Sequence, residues 1–237
     1  VALKLPAAGR DDRAALQQFR REAVTLASVA HPCLAQVFEV GRVDGEYFLA
    51  IEYVDGRDVR RILRRCRETG MRLPVDLCLF IARDLAAGLA YAHRRTVAKG
   101  QALALVHCDI SPPNVMVSYE GEIKIIDFGI AKAASRSTRT QTGILKGKFA
   151  YMAPEQARGQ AMDHRADIFA IGVILHELIT GERLFRADSD FSLLEKVRKA
   201  EVQTPRAVRP DTPADLEKVV MRALAARPED RYPYASN

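Results

Sequence analysis

Residues 106–129 read VHCDISPPNVMVSYEGEIKIIDFG, and the order of residues in this stretch sets the arrangement expected of the rest of the chain. Val115, Met116 and Val117, then Ile123, Ile125 and Ile126 around Lys124, form two short β-branched runs separated by Tyr119-Glu120-Gly121. That is the pattern of a hairpin. A hairpin returns the chain to its starting point, so Asn114 at the entrance and Asp127 at the exit are expected side by side. Each offers a side-chain oxygen. Mg²⁺ takes one or two such hard donors from protein and fills its other positions with water and phosphate oxygens, so a nucleotide is implied. Pro112 and Pro113 forbid a helix, so residues 107–114 are expected as a loop that presents Asp109 near the metal pair as a proton acceptor.

His107-Cys108-Asp109 with Asn114, followed by Asp127-Phe128-Gly129, resembles the catalytic loop and metal-binding triplet of the protein-kinase family. The resemblance implies ATP and Mg²⁺ as cofactors, with Asn114 and Asp127 as metal ligands and Asp109 as catalytic aspartate. Val1-Ala2-Leu3-Lys4 resembles the family's third strand, whose lysine holds the α- and β-phosphates and pairs with a helix glutamate. Over residues 12–29, Leu16, Phe19, Ala23, Leu26 and Ala27 recur at helical spacing. Glu22 shares their face and reads either as the partner of Lys4 or as a surface glutamate paired along its own helix. Strands at 37–40 and 47–51, around a Val43-Asp44-Gly45 turn, complete a small sheet. Glu52-Tyr53-Val54 looks like the hinge whose backbone hydrogen-bonds adenine, with Ile51 behind it, and the resemblance adds Met116 to the nucleotide-binding set. The family's glycine-rich loop precedes the lysine strand, so the chain reads as a fragment. Residues 143–148, GILKGK, lack the spacing and hydroxyl of a Walker motif.

Composition bounds these readings. With 48% hydrophobic and 28% charged residues among 237, the chain has the balance of a folded domain or two lobes rather than a disordered segment. A formal net charge of +6 favours anionic partners without choosing among ATP, acidic peptides, nucleic acid and anionic lipid. The resemblance narrows that choice to a protein substrate, with no nucleic acid expected. The four cysteines show neither metal-ligand spacing nor a small disulfide framework, which suits reduced thiols and a cytoplasmic setting. No apolar run reaches the roughly 20 residues that span a bilayer.

Beyond the hinge, Arg57, Arg60, Arg61, Arg64, Arg65 and Arg67 crowd one segment in which Ile62 and Leu63 supply the buried positions. It is a solvated helix face or a docking surface for an acidic partner. Pro74 followed by Leu77, Ile81, Leu85 and Leu89 predicts a long amphipathic helix ending near His93, a helix-terminal side chain. Ser135, Ser137, Thr138, Thr140 and Thr142 resemble an activation loop. Cys108 stands where most members carry the arginine that pairs with a phosphate there, so loop phosphorylation is not expected to be the on-switch. Ala153-Pro154-Glu155 closes that segment, and Glu155 is expected to pair with Arg231. Residues 167–179, DIFAIGVILHELI, are apolar nearly all round and predict a buried central helix. By resemblance its Asp167 anchors the backbone of the catalytic loop. Helices follow around 193–197 and 216–224, with Pro205, Pro210 and Pro213 marking the loop between.

Two departures look compensatory. Ser/Thr members carry a lysine two positions after the catalytic aspartate, contacting the γ-phosphate, and a threonine after the activation-segment glycine; here those positions hold Ser111 and Lys148. Lys148 reads as a phosphate contact or as a basic residue for substrate docking. The whole reading is an α+β, two-lobed kinase, residues 1–54 and 55–237, resembling the eukaryotic-like bacterial serine/threonine kinases. A pseudokinase and a small-molecule phosphotransferase are the alternatives.

Overall fold

The computed structural model describes residues 1–5, 23, 27, 29–44, 46–95, 105–127 and 149–236. Strands Ala2–Lys4 (β1), Val37–Val43 (β2) and Glu46–Ile51 (β3) form an antiparallel sheet in the order β1-β3-β2. β2 runs three residues past the predicted end at Val40, because Gly41 lets the Phe48 ring lie directly on its backbone. A Cβ there would sit 2.3 Å from the ring. Of the helix predicted over 12–29, Ala23 and Ala27 are helical and Ala23 is fully buried against Val37 and Leu49. Leu16, Phe19, Leu26 and Glu22 lie outside the described residues.

The predicted hairpin forms as Val115–Ser118 (β5) and Ile123–Ile125 (β6), with Val115 opposite Ile125. Ile126, expected in the strand, leaves the ladder and donates its N–H to the Asn114 carbonyl at 2.9 Å. An unanticipated third strand, Gly56–Asp58 (β4), pairs with β5. It depends on Gly56, where a Cβ would sit 2.0 Å from the Val117 carbonyl oxygen. This strand takes Arg57 out of the predicted arginine helix. Cys33 and Ala35 bond to Ile125 through N–H···O contacts of 2.8 and 2.9 Å, tying the first region to this second sheet.

Helix Val59–Thr69 (α1) is capped by Asp58, whose carboxylate accepts from Arg61 N at 2.9 Å, and it buries Val59, Leu63 and Cys66. Ile62, expected inside, is half-buried. Helix Val75–His93 (α2) starts after Pro74 and buries Cys78, Ile81, Ala82, Leu85, Leu89 and Ala92. Leu77 is 50% exposed, since steps of four residues overshoot the helical repeat by about 40° each and carry it off the stripe.

Helices Pro154–Ala157 (α3), Arg165–Thr180 (α4), Asp190–Lys199 (α5), Pro205–Val208 (α6) and Ala214–Ala223 (α7) complete the larger lobe. Every residue of α4 from Ala166 to Thr180 is buried, as its all-round apolar sequence predicts. Gly172 brings α4 against Ala223 and Leu224. Pro205 initiates α6 rather than marking a loop, because proline's missing N–H costs nothing at the first helical position. All four cysteines are free thiols. Among the described residues no helix is long and apolar enough to cross a membrane.

Candidate active site

Asp167, in the first turn of α4, is 1% exposed and accepts three hydrogen bonds: from His107 N at 2.8 Å, Cys108 N at 2.9 Å and His93 Nε2 at 2.8 Å. A buried carboxylate needs such partners, and here two of them are the backbone of the loop carrying Asp109. The anchor holds Cys108 at φ 60, a left-handed conformation that costs a non-glycine residue about 1–3 kcal/mol unless its surroundings impose it. His107 is fully buried. Its Nδ1 accepts from Asp109 N at 3.2 Å, which places the proton on Nε2, donated to the Ile126 carbonyl at 3.3 Å. Burial pushes its pKa below the ordinary value, so the ring is neutral.

Pro112–Asn114 forms one 3-10 turn where a helix-free loop was expected. Two prolines at the start of a turn give up only N–H groups that a helix leaves unpaired there. The turn sets Asn114, 7% exposed, with Nδ2 donating to the Asp109 carbonyl at 2.8 Å and more weakly to Asp109 Oδ2 at 3.4 Å. The amide nitrogen is thereby committed, and the amide oxygen is the end available to a cation. Ser111, 2% exposed, donates its hydroxyl to the same Asp109 carbonyl at 3.3 Å.

Asp127 follows the hairpin at φ 55 and meets Lys4 Nζ at 2.6 Å. The strand lysine and the hairpin's exit thus meet at Asp127; the expected pairing of Lys4 with Glu22 falls on a residue outside the described ones. Glu22 and Lys148 lie outside the described residues, as do Phe128-Gly129 and the hydroxyl-rich segment 135–142.

Glu52, Tyr53 and Val54 form the connection between β3 and β4, outside any regular element, with Ile51, Val54 and Met116 half-buried. Glu52 donates its N–H to the Gln36 carbonyl at 2.8 Å. Its carboxylate accepts from Gln36 N at 3.0 Å and pairs with Lys124 Nζ at 2.7 Å. Beside this pair opens a cavity of about 320 Å³, lined by Ala30, His31, Pro32, Leu34, Gln36, Glu52 and Lys124. Lys4, Asp109, Asn114 and Asp127 do not line it, so it is not the cleft where those groups meet.

Glu155 and Arg231 form a two-pronged ion pair of 2.7 and 2.8 Å, at 4% and 0% side-chain exposure. Arg231 also donates to the Ala225 and Arg165 carbonyls. Gln156 accepts from Ala153 N at 2.8 Å and donates to the Cys108 carbonyl at 3.1 Å, linking this segment to the Asp109 loop. Sequence reasoning passed over Gln156, although a glutamine at the third position of a proline-initiated helix is the reaching-back half of a capping box. Tyr151 donates to Glu177 Oε2 at 2.8 Å, and burial raises the pKa of both groups.

A small sheet carrying a lysine, a helical lobe built on one buried helix, and an Asp-Asn-Asp set at their junction define a kinase-type phosphotransferase architecture. The protein kinase domain model matches residues 1–236, and the chain belongs to the protein kinase family. It is 45% identical to the tyrosine-protein kinase MasK of Myxococcus xanthus over 93% of this chain and 34% of that one. It is 33% identical to the serine/threonine-protein kinase PrkC of Bacillus subtilis over 96% of this chain and 33% of that one. The chain therefore spans about one third of the length of these curated relatives. Among solved structures, the PknI kinase domain of Mycobacterium tuberculosis superimposes with a TM-score of 0.70 at 30% identity, covering 99% of this chain and 81% of that one.

Proposed function

We propose that the chain transfers the γ-phosphoryl group of ATP, with Mg²⁺, to serine and threonine hydroxyls of protein substrates, in a cytoplasmic setting. The observation that carries this reading is the convergence of Asp109, Asn114, Asp127 and Lys4. Asn114 is locked to Asp109 at 2.8 Å, Ile126 N is bonded to the Asn114 carbonyl at 2.9 Å, and Lys4 sits 2.6 Å from Asp127. One amide oxygen, on Asn114, and one carboxylate, on Asp127, fit a small hard cation that keeps most of its ligands as phosphate oxygens and water.

When bound, Mg²⁺ neutralises charge on the β- and γ-phosphates. The chain's own residues do the positioning. Lys4 leaves Asp127 for the α- and β-phosphates, supported by Glu22. Asn114 and Asp127 hold the metal, and Asp109 orients the substrate hydroxyl and takes its proton. Ser111 and Asn114 both donate to the Asp109 main-chain carbonyl, fixing the backbone from which its carboxylate projects. The adenine lies against Ile51, Val54 and Met116, and meets Glu52 through its carbonyl because the N–H is held by Gln36. Lys148 supplies a positive charge to the γ-phosphate from across the cleft, in the place of the lysine that Ser111 replaces. The lobes divide at residues 1–54 and 55–237.

A second reading, tyrosine as acceptor, is favoured by the name of the 45%-identical relative and by Ser111 at the position where Ser/Thr members carry lysine. Transfer of ³²P from ATP to protein, comparing wild type with Asp127→Ala, tests the reaction. Phosphoamino-acid analysis of the product separates the acceptors. Equal incorporation by both proteins, or none by either, overturns the kinase reading.

A further inference from the structure

The positive charge of the chain is concentrated in one place. Residues 57–72 hold seven arginines against two carboxylates, a net +5 within a chain whose total is +6. Most of this segment is α1. Arg60 and Arg61 share Asp58, and Arg64 and Arg65 share Glu68, at distances of 3.2 to 3.8 Å. Four guanidinium groups, 56 to 76% exposed, thus divide two carboxylates. Even with every pair formed, the surface is under-neutralised. The helix packs against β4 and the Pro112–Asn114 turn, so it stands beside the residue placed on the metal.

Resting on the kinase reading above, we propose that the exposed arginine face of α1 docks an acidic segment of the protein substrate, chosen by carboxylate side chains flanking the acceptor hydroxyl. All the cations in 57–72 are arginine, whose planar fork matches carboxylate geometry where lysine offers a point charge. An anionic membrane is the poorer fit, because surface-lying helices insert an apolar face. Val59, Leu63 and Cys66, the apolar side of α1, are buried within the protein. An 11-residue helix is about 16 Å long, the reach of roughly five extended residues. The acidic stretch that lines it is therefore about five residues long.

The test uses two peptides with one acceptor sequence, flanked by Asp and Glu or by Ala and Gln, and compares wild type with the triple variant Arg60→Gln, Arg64→Gln, Arg65→Gln. In wild type, kcat/KM for the acidic peptide should exceed that for the neutral one by about tenfold, the product of a few exposed ion pairs. In the variant the ratio should fall to about one, and raising salt from 0.05 to about 0.5 M should lower the wild-type ratio in the same way. Fluorescence anisotropy of the labelled acidic peptide, read without ATP, measures docking independently of turnover. Failure of both peptides as substrates would count against the kinase reading alone, with anisotropy still deciding this one. A ratio or an acidic-peptide affinity that the triple variant leaves unchanged overturns the proposal. So does a variant whose sole defect is lost sedimentation with phosphatidylserine vesicles, which would assign the arginines to lipid.

Discussion

Two carboxylate–cation pairs of nearly equal length serve this site and do opposite things. Glu155–Arg231, at 2.7 Å, has side chains 4% and 0% exposed; Asp127–Lys4, at 2.6 Å, has them 42% and 35% exposed. Contact distance does not distinguish them; solvent does. A buried pair cannot fall back on water, so losing one partner strands a charge and typically costs about 3–5 kcal/mol. An exposed pair contributes about 0–1 kcal/mol and exchanges partners freely. The first suits a strut for the segment at Ala153-Pro154-Glu155. The second suits a lysine that must let go of an aspartate to hold a phosphate.

The sharpest way to break this comparison is to remove the exposed carboxylate. Asp127→Ala should lower phosphoryl transfer by about 10³-fold, some 4 kcal/mol of barrier, while urea unfolding changes by less than about 1 kcal/mol. A large loss of stability would mean that solvent exposure had been misjudged as the deciding variable. The converse is Arg231→Ala, which should destabilise the fold by about 3–5 kcal/mol. Replacing both partners with apolar residues, Glu155→Leu with Arg231→Met, should recover most of that loss, because no unpaired charge remains. A double variant as unstable as the single one would show that the carbonyl contacts of Arg231, rather than its charge, carry the energy.

These two pairs were not equally legible in the sequence. Glu155–Arg231 followed from the family resemblance, and the all-apolar run of α4 announced its own burial. The hairpin was read from β-branched residues around a turn. What escaped was non-local. Lys124, alternating with Ile123 and Ile125, reads as the solvent side of a strand, yet it is 8% exposed because Glu52 neutralises it. His93 reads as a helix-end side chain, and its partner Asp167 lies 74 residues away. β4 has no propensity signal at all in Gly56-Arg57-Asp58; it forms because glycine alone fits under the Val117 carbonyl. Local patterns report local geometry, and these three features exist only once distant elements have packed.

Asp167 joins the two kinds of site, since it is as buried as Glu155 but acts on the loop bearing Asp109. Asp167→Asn turns one acceptor oxygen into a donor that faces either Cys108 N or the pair His107 N and His93 Nε2, depending on which oxygen is replaced. It should cost about 1.5–3 kcal/mol of stability. It should also lower kcat with little change in the KM for ATP, because Lys4, the proposed phosphate contact, is untouched. A variant that unfolds more easily but turns over normally when folded would reduce Asp167 to a strut like Glu155.

The smallest effect concerns the buried rings of His107 and His176 and sets the pH below which stability falls. Burial lowers the pKa of His107 and of His176 below the ordinary 6.5. Below 6.5 the unfolded chain takes up protons at these rings while the folded chain does not, so acid favours the unfolded state and stability falls as pH drops through that value. The slope is at most about 1.4 kcal/mol per pH unit for each ring. Glu177, whose pKa burial raises, acts with the opposite sign above its ordinary 4.5 and subtracts from the slope. Two variants separate the contributions. His176→Gln keeps an amide donor for the Gln203 carbonyl that the ring now serves at 2.8 Å, and should flatten the stability–pH curve without a pH-dependent change in turnover. His107→Gln should flatten it too, and should also remove an acid-induced loss of kcat, because protonating Nδ1 breaks the 3.2 Å bond from Asp109 N that orients the catalytic loop. Thermal melts and initial rates between pH 5.5 and 7.5 read both quantities. Stability that rises on acidification, or a slope that neither variant alters, would contradict the assignment of neutral, buried rings to His107 and His176.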